Sequence, residues 1–234
     1  MEAVKGHLAR GVKPLSVNSW LTGVRAYGIW LWKEGHLKEK PRIELLKCEQ
    51  KILQTLSADS VRSLVNWKPV GRNQTRAHTI ALVALDTGLR ISELLGLSRE
   101  QVDFDNLTLR VRGKGNKQRL VPMSVELRKV LYRHLAKHPH PRVFCTGTGG
   151  ALSVRNSERD FKVVCRKAGI VGIRTSWHTL RHSFAVNYLR KGGNLYYLQR
   201  ILGHSSITTT ERYLRSLGIE DLQKVHDGLS LLSR

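Results

Sequence analysis

Apolar residues recur at helical spacing along most of the chain, which predicts a mainly helical protein. The first helix is expected to begin at Asn18, a residue type that caps helices, and to end at Gly35. Its apolar side chains are expected to pack in a core: Trp20, Val24, Tyr27, Trp30, Leu31 and Trp32. A platform on which bases stack is the less favoured alternative for the three tryptophans. Residues 1–17 lack a periodic pattern, and residues 36–56 have the composition of a charged connector.

Capping residues mark the next helices. Ser57 is expected to cap a helix over residues 58–67, and Asn73 is expected to cap a longer one that ends before Gly88. Gly88 stands where a left-handed residue commonly ends a helix. The segment LRISELLGL predicts a new helix with Arg90 near its start.

A β-hairpin is predicted in the middle of the chain. Residues 107–112 and 117–123 alternate in the manner of strands, and GKGN forms the turn between them with Lys114 at its tip. Residues 143–146 are predicted as a third short strand. The GTGG turn at residues 147–150 lacks the Lys and the Ser or Thr of a phosphate loop, so no nucleotide-binding role is predicted for it.

Three further helices complete the predicted elements. Ser124 is expected to cap the first, a basic helix follows over residues 154–168, and an amphipathic helix covers residues 219–232. The predicted fold class is therefore mainly α with a small antiparallel β-sheet, an α+β arrangement.

Composition points to a polyanionic partner. The chain has 234 residues, 41% of them hydrophobic, which suits one large domain or one domain with a small appendage. Its 40 Lys and Arg against 18 Asp and Glu give a formal net charge of +22. Basic residues occur throughout and form no juxtamembrane cluster, so nucleic acid is favoured over a membrane surface.

The apolar runs are too short for a membrane segment. The longest, residues 80–85, cannot span a bilayer, and the N-terminus lacks the apolar segment of a signal peptide. A soluble, cytoplasmic protein is therefore expected. Cys48, Cys145 and Cys165 are odd in number and widely spaced, which favours reduced, buried thiols.

Residues 177–214 are dense in His, Arg and Tyr. His178 and Arg181 lie three apart, which places them on one face of a helix, and His204 and Tyr213 follow in the same stretch. Guanidinium, imidazole and phenol without a nearby carboxylate suit a negatively charged guest. We expect this guest to be a phosphate.

A zinc site is the alternative for part of this stretch. His178 and His182 are four apart, which is also the spacing of zinc ligands on a helix. Because no Cys, Asp or Glu stands close by in the sequence, neither a metal nor a cofactor is predicted. His182 is interpreted as a structural neighbour.

Four separate motifs resemble the tyrosine recombinase family, in particular the XerC and XerD type and the phage or transposon integrases. They are TGLRISELLGL with Arg90, GKGNKQRLVP with Lys114, HTLRHSFA with His178 and Arg181, and LGHSSITTTERY with His204 and Tyr213. All six positions hold the residue type that the family uses there, and the resemblance covers about residues 55–234. It implies the catalytic-domain fold of that family.

The resemblance implies an enzyme that breaks and rejoins DNA strands. Tyr213 would attack a scissile phosphate and form a 3′-phosphotyrosyl intermediate with a free 5′-hydroxyl. Arg90 and Arg181 would hold the nonbridging oxygens, since planar guanidinium matches phosphate geometry and stays charged.

The remaining positions would move protons or hold the phosphate. His178 is the expected general base for the tyrosine, and Lys114 the expected general acid for the leaving 5′-oxygen, with Lys117 as a competitor. His204 would donate a hydrogen bond to the phosphate. Glu93 is a possible partner that orients the first arginine.

The N-terminal region departs from the family pattern, which places a helical core-binding domain of about a hundred residues there. Residues 1–55 are interpreted as a truncated segment of this kind with its linker, and residues 56–234 as the catalytic domain. Weaker DNA binding that depends steeply on salt is expected from the shortened clamp.

The resemblance also implies a tetramer on double-stranded DNA, and leaves a monomer open when DNA is absent. The helix at residues 219–232 would then pass to a neighbouring subunit, with packing on its own domain as the alternative. Two other functions stay open: a type IB topoisomerase, and a DNA-binding remnant with an architectural or regulatory role that no longer recombines. The DNA site, the directionality and the accessory factors cannot be read from the sequence.

Overall fold

The structure is a computed structural model that describes residues 6–7, 10–48, 53–113 and 118–229. The chain divides into two compact units, residues 1–51 and 52–234.

The first unit contains one long helix, α1 (Pro14–Lys33). Pro14 occupies its first turn and Lys13 its N-cap, so the predicted start at Asn18 was wrong by one helical turn. Asn18 instead lies inside the helix and fastens a later segment to it. Its side-chain amide donates to the carbonyl oxygen of Leu46 and accepts from the backbone N–H of the same residue, both at 2.8 Å.

The aromatic side chains of α1 do not form the predicted core. Trp20, Tyr27 and Trp30 are 51, 61 and 49% exposed, and the buried residue of the helix is Val17. The correction has a physical reason: helical spacing shows that apolar side chains share a face, but not that another element covers that face.

The second unit contains the other helices and the strands: α2 (Ala58–Asn66), α3 (Arg72–Thr87), α4 (Ile91–Leu95), β1 (Val102–Asp103), β2 (Thr108–Arg112), β3 (Gln118–Pro122), α5 (Val125–Leu135), α6 (Val154–Lys167), α7 (Trp177–Arg190), α8 (Leu195–Leu202), α9 (Thr208–Glu211) and α10 (Ile219–Leu229). Ser57 and Ser124 cap α2 and α5 as predicted. The predicted cap Asn73 lies within α3, whose N-cap is Gly71 at φ 81° without a side-chain cap.

The sheet is antiparallel in the order β1-β2-β3, and the predicted hairpin is confirmed by the register Thr108↔Pro122 to Arg112↔Gln118. The third strand is β1, however, and not residues 143–146. Val143 donates its N–H to Leu97, and Thr146 donates to Gly150, so these backbone groups bond to loops. The mainly helical class with a small antiparallel sheet is nevertheless confirmed.

Helix α3 lies at the centre of the larger core, where it packs against α5, α6 and α7. Its Ala77, Ile80, Ala81 and Ala84 are buried, because small side chains on several faces let neighbouring helices approach. A second cluster joins α7 and α8: Ala185, Val186, Leu189, Leu198, Leu202 and Tyr213.

Gly88 ends α3 in the left-handed conformation, at φ 64°. A Cβ atom there would lie 2.3 Å from Cδ1 of Phe184, so both the backbone conformation and the packing require glycine. The turn directs the chain into Arg90.

Two other predictions can be compared with the described residues. Cys145 and Cys165 are buried, Cys48 is half-buried, and all three thiols are free. No helix in the described ranges is long and apolar enough to cross a membrane.

Candidate active site

Arg90 is the N-cap of α4, directly after the turn at Gly88. Its backbone N–H donates to Glu93 Oε2 at 2.9 Å, and its Nη1 donates to Oε1 at 3.1 Å, as expected from the sequence. Its guanidinium also donates to the carbonyl oxygens of Leu202 and Gly203, at 3.3 and 3.4 Å. Because the side chain is 41% exposed, the guanidinium is held in place and still open to a ligand.

Glu93 is held from its other side by Arg119 of β3. The two guanidinium nitrogens of Arg119 donate to the two carboxylate oxygens, each at 2.9 Å, and its Nε donates to the Ile201 carbonyl oxygen at 2.8 Å. Burial by itself would raise the pKa of Glu93, but hydrogen bonds from Arg119 and the Arg90 backbone outweigh it and lower this pKa. Glu93 therefore stays charged and connects α4 to β3 and to the end of α8.

Arg181 lies on the buried side of α7 and is only 5% exposed. Its Nη1 donates to the Gly88 carbonyl oxygen at 2.6 Å, and its Nη2 donates to Leu202 O at 2.9 Å and to His204 Nε2 at 3.0 Å. Burial, reinforced by repulsion from Arg90, lowers the pKa of Arg181 to about 10. The guanidinium is therefore still charged at neutral pH.

His204 follows the left-handed Gly203, which ends α8 at φ 66°. Because Arg181 donates to Nε2, the imidazole proton is assigned to Nδ1, which donates to Thr210 Oγ1 at 2.9 Å. Burial and the charges of Arg181 and Arg90 lower the pKa of His204 to about 4. The ring is therefore neutral at pH 7.

Tyr213 lies between α9 and a short 3-10 turn at Leu214–Ser216. Its N–H donates to Thr210 O, an i to i−3 contact that tightens the chain here. Its ring is 2% exposed and stands 5.6 Å from the His182 ring and 6.2 Å from the His204 ring. Tyr213 thus lies beside His182 and His204 and is largely shielded from solvent.

His178 lies in the first turn of α7 and is exposed, with no side-chain hydrogen bond to the described residues. The α7 histidine that contacts the Tyr213 ring is His182. Its Nδ1 is buried and has no hydrogen-bond partner in the described ranges. Burial, with repulsion from Arg212 and His178, lowers the pKa of His182 to about 4. The structure therefore brings His182, and not His178, into ring contact with the tyrosine.

Lys114 and its competitor Lys117 lie outside the described residues. The described residues on either side, Gly113 and Gln118, line an open cavity of about 1250 Å³ that Arg90 and His204 also line. The hairpin therefore borders the same cavity as Arg90 and His204.

No three His, Cys, Asp or Glu side chains in the described ranges come together in a way that could hold a metal ion. The zinc spacing of His178 and His182 is not completed by a third ligand there.

Comparison with known proteins shows the family. Residues 54–218 match the profile of the Phage integrase family. The chain is 34% identical, over 223 residues, to the tyrosine recombinase XerC of Xanthomonas campestris pv. campestris (strain B100); the match covers 93% of this chain and 69% of that protein. The chain belongs to the phage integrase family. It is an enzyme of the tyrosine recombinase class, which breaks and rejoins DNA, and the alternative of a non-recombining remnant is not favoured.

Solved structures agree with this assignment. The crystal structure of XerA recombinase is 28% identical, with a TM-score of 0.65 over 76% of this chain and 66% of that one. The Tn1549 transposon integrase in complex with circular intermediate DNA is 21% identical and shares the fold, with a TM-score of 0.78 over 95% of this recombinase and 82% of the integrase chain.

Arg119 is the site residue that sequence reasoning did not single out. It stands within the motif GKGNKQRLVP, but a charged residue in a strand is usually solvent-exposed. Arg119 and the buried Val121 are two positions apart on β3, so their side chains lie on the same face of the strand. This spacing was a signal in the sequence, because a charge on the inward face of a strand needs a partner.

Lowered histidine pKa values predict that this recombinase loses stability in mild acid. Burial lowers the pKa of His134, His182 and His204 to about 4 in the folded state, whereas an unfolded histidine titrates near 6.5. Between these values the unfolded chain binds more protons, so the free energy of unfolding falls as pH falls. For His134, which is 9% exposed, we expect a loss of about 2 kcal/mol between pH 7 and 5.

Urea unfolding at pH 7, 6 and 5 measures this effect, since that range lies above the ordinary pKa of carboxylates. The variant His134→Gln should show a shallower dependence, and replacement of the exposed His226 by Gln should leave the dependence unchanged. A His134→Gln profile parallel to that of the unaltered protein would contradict the prediction.

Proposed function

We propose that this recombinase cleaves and rejoins double-stranded DNA at specific sites through a covalent 3′-phosphotyrosyl intermediate. One observation carries the proposal: Arg90 and Arg181 both donate to the Leu202 carbonyl oxygen, and Arg181 also donates to His204, whose ring stacks beside that of Tyr213. Arg90 and His204 line the open cavity, and two fixed guanidinium groups near a tyrosine suit in-line transfer of a phosphoryl group.

The two arginines would bind the nonbridging oxygens. Arg90 is exposed and already oriented by Glu93, whereas Nη2 of Arg181 is occupied by Leu202 O and His204 Nε2. A phosphate oxygen would replace the imidazole as acceptor for Arg181. His204 would then donate to the phosphate only with its proton on Nε2, so phosphate binding requires a change of tautomer.

Proton transfers would complete the reaction. The Tyr213 hydroxyl attacks phosphorus, the bond to the 5′-oxygen breaks, and His178 accepts the tyrosine proton. Lys114 gives a proton to the leaving 5′-oxygen. Rejoining reverses these steps, because the phosphotyrosyl ester conserves the energy of the broken bond. Since Tyr213 as a whole is 2% exposed, a movement of residues 208–217 would give the phosphate better access to it.

A nicked suicide duplex tests the proposed function. Cleavage next to the nick releases a short fragment, so that the enzyme is trapped on the DNA as a covalent complex visible after denaturing electrophoresis. Formation of this complex requires neither a partner site nor rejoining. Specific noncovalent binding without any adduct would contradict the proposal.

Replacing Arg119 should reduce cleavage by about 10- to 100-fold, the usual effect of losing a group that orients a site residue. Without Arg119, Glu93 remains buried with Arg90 as its remaining ion-pair partner, and draws that guanidinium away from the cavity. Single-turnover cleavage by Arg119→Gln measures the loss, and Arg110→Gln on the neighbouring strand is the control because Arg110 is exposed.

A structural role would affect cleavage only through loss of folded protein. An orienting role and a structural role are distinguished by comparing the loss of cleavage rate with the loss of unfolding free energy in the same variant. Glu93→Gln combined with Arg119→Gln should cost much less than the sum of the two single changes, because both break the same ion pair. Additive effects on the cleavage rate would rule out the orienting role.

The base assignment can be tested by a pair of histidine variants. His178→Ala should lower the cleavage rate by about 100-fold or more, with little loss of stability because the side chain is exposed. His182→Ala should lower the free energy of unfolding, but the cleavage rate of the folded variant should stay within a small factor of the rate of the unaltered protein. The reverse pattern would assign the base to His182.

We also propose that the recombinase assembles as a tetramer on DNA. Helix α10 packs on α7 through the ion pair of Arg190 Nε and Asp221 Oδ2 at 3.0 Å, while Ile219 and Leu222 are exposed. These exposed apolar side chains are available to a neighbouring subunit. Light scattering with and without a target duplex measures the assembly.

A further inference from the structure

A second basic cavity lies at the N-terminal end of α3, the opposite end from Arg90. It has a volume of about 350 Å³. Helix α3 has 16 residues, which corresponds to a length of about 24 Å, so this cavity is remote from the candidate active site. Six basic side chains line it, and no carboxylate is found among its lining residues in the described ranges: Arg72, Arg76, His134, Lys137, His138 and His140.

Two of the cations have no partner among the described residues. Arg76 is already bound, since its Nη1 donates to Cys145 O at 2.9 Å and its Nη2 pairs with Asp160 at 3.3 Å. Arg72 and Lys137, in contrast, make no side-chain hydrogen bond or ion pair with the part of the chain that the structure describes. Unpaired cations around a carboxylate-free cavity leave it with a positive potential.

The GTGG turn shapes one wall of this cavity. A Cβ atom at Gly147 would lie 2.3 Å from Nη1 of Arg72, and one at Gly149 would lie 2.6 Å from Nδ1 of His140. The glycines therefore allow a guanidinium and an imidazole to lie directly on the backbone of the turn. These contacts explain why the GTGG turn is rich in glycine although it is not a phosphate loop.

The histidines of the cavity have unused hydrogen-bonding atoms. Both ring nitrogens of His138 and Nδ1 of His134 are buried and make no hydrogen bond with the residues that the structure describes. Burial, and then the charges of Arg99, His140 and Arg72, lower the pKa of His138. Buried polar atoms without partners are rare in folded proteins, and these three belong to two residues that line the cavity.

We propose that this cavity binds a phosphate monoester. The dianionic phosphate would pair with Arg72 and Lys137, and the backbone N–H groups that begin α3 would add donors, because Gly71 provides no side-chain cap. The bound anion would also provide the hydrogen-bond acceptor that His138 lacks.

The size and lining of the cavity indicate which organic group carries the phosphate. Its volume exceeds that of a phosphate ion, which leaves room for the organic group that carries the phosphate. His134 Nε2 donates to Val143 O at 3.0 Å, so its Nδ1 is left as an acceptor and would pair with a hydroxyl or amino group of the ligand after a small shift of the ring. A nucleoside monophosphate has this combination of groups.

Calorimetric titration with adenosine 5′-monophosphate, inorganic phosphate and adenosine tests the proposal. The nucleotide should bind most tightly and adenosine should not bind measurably. Arg72→Gln and Lys137→Gln should each raise the Kd for the nucleotide by at least about tenfold. The matched control is Arg128→Gln, which removes an exposed charge from the same helix, α5, that carries His134 and should leave the Kd unchanged.

Equal loss of affinity in all three variants would overturn the proposal, because it would indicate general attraction to a chain of net charge +22. Absence of nucleotide binding to the unaltered protein would also overturn it. Competition with DNA duplexes identifies the source of the phosphate. If a 5′-phosphorylated duplex displaces the nucleotide and a 5′-hydroxyl duplex does not, the monoester site is supported and its ligand is a DNA end. Equal displacement by a 5′-hydroxyl duplex would instead reveal a backbone-binding surface and exclude a monoester site.

Discussion

Replacing Tyr213 with phenylalanine is expected to abolish covalent trapping of DNA by this recombinase. The change removes a single oxygen atom, and no hydrogen bond of that hydroxyl is found in the part of the chain that the structure describes. The ring itself is buried against His182 and His204, and phenylalanine preserves both contacts. Folding and noncovalent DNA binding should therefore persist while the nucleophile is lost.

The measurement is adduct formation on the nicked suicide duplex, with thermal unfolding and DNA binding measured in parallel. Tyr197→Phe is the matched control, because that hydroxyl is exposed on α8. The control should form the adduct at the unaltered rate. An adduct that persists in Tyr213→Phe would place the nucleophile on another residue and remove the main support for the proposed function.

Replacing Arg181 with lysine is expected to lower the cleavage rate by about 10²- to 10³-fold, even though the charge is preserved. The planar guanidinium donates to three groups at once, namely Gly88 O, Leu202 O and His204 Nε2. An ammonium group has neither this planar geometry nor the reach to bind all three and a phosphate. The end of α3, the end of α8 and His204 would lose their common partner.

Single-turnover cleavage at saturating DNA measures this loss, and Arg128→Lys on the exposed surface of α5 is the control. Because both changes keep the charge, DNA affinity should differ little between the variants. Some loss of stability is also expected for Arg181→Lys, since buried carbonyl oxygens lose donors. A cleavage rate within a factor of a few of the unaltered protein would show that guanidinium geometry is not required.

Local signals in the sequence predicted much of the secondary structure. Ser57 and Ser124 cap helices because a hydroxyl satisfies an N–H of the first turn, which is an interaction between near neighbours. Gly88 ends α3 because its left-handed backbone favours glycine. The hairpin follows from alternation and a glycine-rich turn. Signals of this kind need no knowledge of the rest of the chain.

Helix α1 and the third strand show where local signals fail. The aromatic side chains of α1 share a helix, yet burial depends on a covering element that the local pattern does not contain. Residues 143–146 have the composition of a strand, but their backbone groups find partners in loops. A covering element and the Leu97 partner of Val143 both belong to segments that are distant in the sequence.

The sequence by itself determined the residue types of the site, their order and the family that they resemble. Only the tertiary structure decided how these residues meet: Arg90 reaches the Leu202 carbonyl across 112 positions, and Arg181 reaches Gly88 across 93. It also decided that Arg119 holds Glu93, that Tyr213 is covered, and that His182 rather than His178 contacts its ring. The physical reason is that capping and periodicity act within one or two helical turns, whereas a buried charge takes whichever partner the packing of distant elements provides.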